Sequence, residues 1–155
     1  MKINLLNKNS NTAILFAGIF SILVGVGIAR FSFTSLLPLM LNNRLSVEFV
    51  GFLASVNYIG YLCGAIFAIF IKNIHLKIRF FKIGLYLSII STAILGITTN
   101  NYLWIISRFI AGFGTAMILV VCSSIVMIKL KGEDKTKIMG IYFSGIGIAI
   151  SIILE

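Results

Sequence analysis

The sequence is poor in the residues that keep a protein soluble in water. Only 11% of its 155 residues are charged, whereas a typical soluble domain has about 25%. Four residues are acidic, one is histidine and one is proline, while 59% are hydrophobic. This composition excludes a disordered chain and a single soluble domain, and it indicates a protein embedded in a membrane.

Residues that carry chemistry are scarce as well. The two cysteines, Cys63 and Cys122, are too few for a disulfide framework. We expect both to be buried as small apolar residues, not to form a disulfide or to bind a metal. The sequence contains no cluster of metal ligands, no phosphate-binding loop and no nucleophile triad. It therefore predicts neither an enzyme nor a bound cofactor.

Long apolar runs dominate what is present. An α-helix needs about 20 residues to cross a bilayer, and every backbone polar group must be paired inside it. Five runs approach that length, and none has the alternating pattern of a strand. The sequence predicts an all-α membrane protein with five transmembrane helices, at about residues 13–41, 49–71, 83–99, 102–128 and 138–154.

The positions of the basic residues predict the orientation. Ten of the 13 basic residues precede the first run or lie in the connections at 72–82 and 129–137, and the connection at 98–101 has no charge. Because basic loops stay in the cytoplasm, the N-terminus is expected there. His75 is then a solvated loop residue, and Tyr102 and Trp104 belong to an outer aromatic belt. The net charge is +9, but the basic residues lie between apolar runs. This placement indicates lipid headgroups as partners and excludes nucleic acid.

Two arginines, Arg30 and Arg108, are the only charges deep inside the predicted spans. Burying an arginine in a bilayer costs about 2.5–3.5 kcal/mol even on the lenient insertion scale, so each needs a partner, an aqueous cavity or a route to the headgroups. Two interpretations stay open. Each arginine ties down neighbouring carbonyls or tyrosines, or Arg30 faces a central cavity and binds a carboxylate or phosphate through two parallel hydrogen bonds.

Small residues recur at helical spacing. Gly60 and Gly64 are separated by four positions, which is typical of closely packed membrane helices. The pairs Gly25-x-Gly27 and Gly112-x-Gly114 place their glycines on different faces instead. We expect these pairs to loosen the helix, as in a span that bends or lines a cavity.

Four segments of the sequence form a distinctive combination: 25–34 with Leu37-Pro38-Leu39-Met40, the second run from Gly51 to Gly64, the run from Arg108 to Ala116, and 142–147. Together they resemble the YbfB/YjiJ-like branch of the major facilitator superfamily. The resemblance implies a truncated N-terminal portion, with five helices forming most of one six-helix half. The basic connection at 72–82 lacks the aspartate that the superfamily usually carries there.

The resemblance also implies a function. It indicates a secondary, alternating-access carrier for a small organic solute, with an anion as one candidate, in a bacterial cytoplasmic membrane. The missing C-terminal half or another copy of the chain would complete it. The expected roles are solute contact for Arg30, Asn57 and Tyr61, a relay or gate for Arg108, and helix packing for Gly112, Gly114, Gly60 and Gly64. The alternative is a small multi-span membrane protein with a structural or interaction role, or an inactive remnant of a carrier.

Overall fold

The computed structural model describes residues 15–28, 33, 46–98, 100–129 and 135–154, and it defines their side chains except at 26, 28, 129, 135–138, 148–150 and 152–154. All elements within these residues are helices. Five helices follow one another: α1 (residues 15–28, ending in the π-helical segment Leu23–Ile28), α2 (Val47–Phe70), α3 (Ile74–Ile97), α4 (residues 101–129) and α5 (Lys135–Leu154). Helix α4 has three parts, the α-helical Asn101–Ala116, the π-helical Met117–Val121 and the α-helical Cys122–Lys129.

Polar caps determine where the three central helices begin. The side chain of Ser46 accepts a hydrogen bond from the backbone N–H of Phe49 at the start of α2. Asn73 and Asn100 do the same at the starts of α3 and α4. These bonds satisfy N–H groups that have no partner within the helix, so each helix starts directly after a short connection.

Three helices, α2, α3 and Asn101–Ile128 of α4, are long and apolar enough to cross a membrane. Large apolar side chains on their outer faces are exposed, for example Ile69, Phe70 and Tyr86. An apolar exterior is what a bilayer requires, and the described residues of α1 add a shorter apolar helix, Leu15–Gly25. The chain is therefore a helical membrane protein.

Helix α3 begins nine residues earlier than the apolar run predicts, at Ile74 instead of near residue 83. The prediction of a basic loop over 72–82 is therefore wrong for most of its length. His75, Lys77 and Arg79 lie on the first turns of α3, because Asn73 caps the helix and no glycine or proline interrupts the stretch that follows. The connection between α2 and α3 is only residues 71–73.

Two further expectations are corrected. Trp104 is buried, and its indole N–H donates to the backbone carbonyl of Thr98 at 2.7 Å, so it closes the connection between α3 and α4 instead of facing lipid. Its ring joins a core cluster with Leu53 and Leu95. Cys63 is exposed on the outer face of α2, whereas Cys122 is buried as expected.

Helix α4 lies at the centre of the described structure. Its first half packs against both α2 and α3, and its later part contacts α3 and α1. Helix α5 packs on α1, where Gly18 faces the ring of Tyr142 and Gly145 faces Ile19. Because α4 contacts three neighbours, the residues along it determine the chemistry of the interior.

Candidate functional site

Close backbone contact joins α2 and α4. A Cβ at Gly112 would lie closer than 3.0 Å to the backbone oxygen of Asn57 and the backbone nitrogen of Tyr61. A Cβ at Gly60 would meet the backbone carbonyl of Phe109 in the same way, and one at Gly64 would come within 2.9 Å of the Phe113 carbonyl. The two helices therefore touch backbone to backbone, a contact that only glycine permits at these positions.

Gly114 faces a different neighbour from Gly112. A Cβ at this position would lie 2.9 Å from the Gly84 oxygen and 3.2 Å from the Ser88 nitrogen, both on α3. Gly112 and Gly114 thus bring α4 against α2 and α3 respectively. One turn before Gly112, on the stretch of α4 held between these two helices, lies Arg108.

The side chain of Arg108 is almost completely buried, with 1% of its surface exposed. Its Nε and Nη2 atoms have no hydrogen-bond partner among the residues that the structure describes. A buried, unpartnered guanidinium nitrogen is costly, because it has lost water without gaining another acceptor. Nε and Nη2 form one edge of the guanidinium group, and such an edge matches the two oxygens of a carboxylate.

An aromatic ring covers the same guanidinium group. Its central carbon lies 4.7 Å from the centroid of the Phe33 ring. This is a cation–π contact, which stabilises a desolvated cation without satisfying its N–H groups. Phe33 itself is buried beside Val50 and Leu53 of α2. The ring thus partly offsets the cost of the buried charge and leaves its hydrogen-bonding edge unpaired.

The side chain of Asn57 binds the backbone of Arg108. Its Nδ2 atom donates to the backbone carbonyl of Arg108 at 3.0 Å, across the contact between α2 and α4. The amide side chain is half-buried, as is Tyr61 one turn further along α2. The crossing of these two helices therefore brings Asn57 to the backbone of Arg108, and it brings the backbone of Tyr61 against Gly112, one turn later on α4.

Hydroxyl groups join α4 to α3 next to Arg108. The Ser107 hydroxyl donates to the backbone oxygen of Ser91 at 2.6 Å. The hydroxyls of Ser91 and Thr92 both donate to the backbone oxygen of Ser88. Ser88, Ser91 and Ser107 are each 1% exposed, and the Ser88 hydroxyl oxygen has no partner in the described residues. The contact between α3 and α4 is therefore polar at Ser107, the residue before Arg108.

The two π-helical segments meet in the interior. A Cβ at Gly25, in the segment of α1, would overlap the side chain of Ile118 in the segment of α4. Because π-helical turns interrupt the regular hydrogen bonding, they mark places where a helix bends or changes shape. Gly27 and Gly114 lie within or just before these segments.

Of the predicted site residues, Arg30 lies outside the described residues, and the structure places the others along α2 and α4. Sequence reasoning missed Phe33, which covers Arg108 only after folding, and the hydrogen bond from Ser107 to Ser91 of α3. Phe33 stands close to Arg30 in the sequence, so no local pattern assigns it to Arg108. Among the described residues there is no group of three or more histidine, cysteine or acidic side chains that could hold a metal ion.

Comparison with known proteins identifies the family. The sequence profile described as "Uncharacterised MFS-type transporter YbfB" matches residues 22–154. The chain therefore belongs to the YbfB-like family of major facilitator superfamily transporters, as its sequence motifs predict. No curated protein and no solved structure matches it. Membership of a transporter family, together with the apolar helices, indicates a role in membrane transport.

Proposed function

We propose that this chain forms part of a secondary carrier that moves a small organic anion across the membrane by alternating access. Arg108 carries the proposal, because a bilayer-spanning helix that buries a guanidinium group with an unpaired edge needs an acceptor. An anionic solute supplies that acceptor and leaves again when the site opens. Buried cations that pair with a transported ligand are a known way in which membrane proteins use ionisable residues.

A carboxylate fits the unpaired edge best among small anions with directional acceptors. Two parallel N–H···O bonds from Nε and Nη2 would satisfy both atoms at once, and charge-assisted bonds of this kind are about twice as strong as neutral ones. The low dielectric of the interior strengthens the contact further. Phe33, which covers the guanidinium group, borders the position that such a ligand would take.

The other sequence-predicted residues have supporting roles in this proposal. Arg30 is the second cation of the solute site, placed there by the sequence pattern alone. Asn57 positions the turn of α4 that carries Arg108, and Tyr61 borders the same crossing. Gly60, Gly64, Gly112 and Gly114 allow the close packing that holds the site together.

Movement is assigned to the two π-helical segments. In inverted-repeat carriers, corresponding helices of the two repeats line the site and move around it. Helices α1 and α4 correspond in this scheme; the glycine pair of α1 lies within its π-helical segment, and that of α4 lies just before its own. Their contact through Gly25 and Ile118 is the proposed hinge. The C-terminal half of the carrier or a second copy of this chain would complete the cavity.

The proposed topology has five transmembrane helices, α1 to α5, with the N-terminus in the cytoplasm of a bacterial cell. Basic residues at the start of α3 and after α4 support this orientation. Fusing reporters after Asn73 and after Asn100 tests it. A fluorescent protein should be active after Asn73 and alkaline phosphatase after Asn100, because the two connections lie on opposite sides. The reverse pattern would contradict the orientation.

Ligand binding tests the proposed solute class. We expect acetate, benzoate or succinate to raise the thermal unfolding temperature of the purified chain in detergent, whereas the corresponding neutral amides do not. A ligand at 100 times its Kd stabilises a protein by about 2.7 kcal/mol, which is large enough to measure as a rise in the unfolding temperature. Equal effects of acids and amides would exclude recognition by charge, and no effect of either would favour a structural role for the chain.

A further inference from the structure

A cavity of about 390 Å³ lies at the far end of the helices from Trp104. It is bounded by the end of α2, the start of α3 and the later part of α4. Three polar side chains, Lys72, Lys77 and Ser124, line one part of it. The rest of the lining is apolar and includes Ile69 and Val120. The cavity therefore combines two positively charged side chains with an apolar lining.

Two of the three polar side chains of this cavity are bonded to each other. The Lys77 ammonium group donates to the hydroxyl of Ser124 and so links α3 to α4. Lys77 is half-buried, and Lys72 is exposed in the short connection just before α3. Glu48 is the one acidic residue among those the structure describes, and it lies at the opposite end of α2. Within the described residues, neither lysine has a carboxylate partner.

We propose that this cavity binds the phosphate headgroup of an anionic phospholipid. Lys72 and Lys77 contact the phosphate, Ser124 donates or accepts a hydrogen bond beside it, and an acyl chain lies along Ile69. Basic pockets between transmembrane helices on the cytoplasmic side are suited to such headgroups. In the proposed orientation this end of the helices is cytoplasmic. The apolar wall favours a lipid over free phosphate, which has no apolar part to bury.

This site is separate from Arg108, and it couples the membrane to α4. Helix α4 carries Arg108 near one end and Ser124 near the other, with the π-helical segment Met117–Val121 between them. A lipid that clamps α3 to α4 through Lys77 and Ser124 therefore stabilises one arrangement of this segment. The lipid acts as a bound structural ligand and not as a transported solute.

Lipid titration of the full chain in detergent tests the proposal. Phosphatidylglycerol should raise the unfolding temperature more than phosphatidylcholine, and inorganic phosphate should have no effect. Replacing Lys72 and Lys77 together with glutamine should weaken the affinity for phosphatidylglycerol about thirtyfold, since each lysine near an anionic headgroup contributes about 1 kcal/mol. Arg79→Gln is the matched control, because Arg79 is exposed on α3 and does not line the cavity.

Each other result would overturn the proposal. Equal effects of the two lipids would exclude recognition of the negative headgroup, and protection by inorganic phosphate would assign the cavity to a free ion. If Arg79→Gln weakened binding as much as the double lysine variant, the effect would come from general surface charge. Unfolding temperatures measured without lipid show whether each variant folds. If the double lysine variant does not fold, Ser124→Ala is a milder variant of the same cavity.

Discussion

Replacing Gly112 or Gly60 with alanine is expected to destabilise the protein, although alanine is the better helix former. The added Cβ would overlap the Asn57 carbonyl in one variant and the Phe109 carbonyl in the other. Backbone atoms cannot rotate away as a side chain can, so α2 and α4 must separate. Overpacking of this kind costs about 1–3 kcal/mol, and backbone contact places these two sites at the upper end of that range.

Gly51→Ala and Gly96→Ala are the matched controls. Apart from its chain neighbours and the backbone of its own helix, a Cβ at either position would meet no atom within 4 Å, so the substitution adds no contact with another helix. Alanine favours a helix over glycine by up to about 1 kcal/mol, and these controls should therefore be neutral or slightly stabilising. Thermal unfolding in detergent, followed by circular dichroism, measures all four variants. If Gly112→Ala and Gly51→Ala unfolded at the same temperature, the close crossing of α2 and α4 would be wrong.

Arg108→Met is expected to change stability in opposite ways with and without ligand. In the absence of an anion, the unpaired guanidinium edge is a cost, and replacing a buried charge with an apolar side chain of similar length is often neutral or stabilising. With a saturating carboxylate, the wild-type protein gains about 2.7 kcal/mol at 100 times the Kd and the variant gains nothing. The same unfolding measurement, with and without benzoate, gives both results.

Arg108→Lys separates charge from geometry. Lysine keeps the positive charge but cannot present two parallel N–H groups to a carboxylate. We expect carboxylate affinity to fall about tenfold, which corresponds to the loss of one charged hydrogen bond of about 1.5 kcal/mol. A purely structural arginine predicts a different pattern. In that case Arg108→Met would lower the stability without ligand by about 3–5 kcal/mol, and carboxylates would have no effect on the wild type.

Hydrophobic runs predicted α2 and α4 to within a few residues, because both helices are continuous apolar segments bounded by polar caps. They failed at the start of α3. Lys77 and Arg79 lower the local hydrophobicity there, yet they lie on the first turns of a helix that Asn73 caps. A helix end at a membrane surface is amphipathic in this way, and the cap is a better guide to its start than hydrophobicity.

The candidate site was only partly predictable. A charge deep in an apolar run marks Arg108 from the sequence, and glycines four residues apart mark the faces that pack. The partners do not follow from local pattern, because Asn57 and Arg108 are 51 positions apart and Phe33 belongs to another segment of the chain. Only the crossing of the helices brings these groups together. For the same reason Asn57, predicted as a solute contact, is found bonded to the backbone of α4.

Nitrogen NMR directly observes whether the Arg108 guanidinium group binds a carboxylate. The chain has four arginines, so ¹⁵N-arginine labelling in nanodiscs gives few Nε–H signals, and the Arg108→Lys variant assigns one of them. Adding benzoate should move the Arg108 signal saturably and leave that of Arg79 unchanged, whereas benzamide should move neither. An Arg108 signal that stays fixed at all benzoate concentrations, or that moves equally with benzamide, would contradict the account.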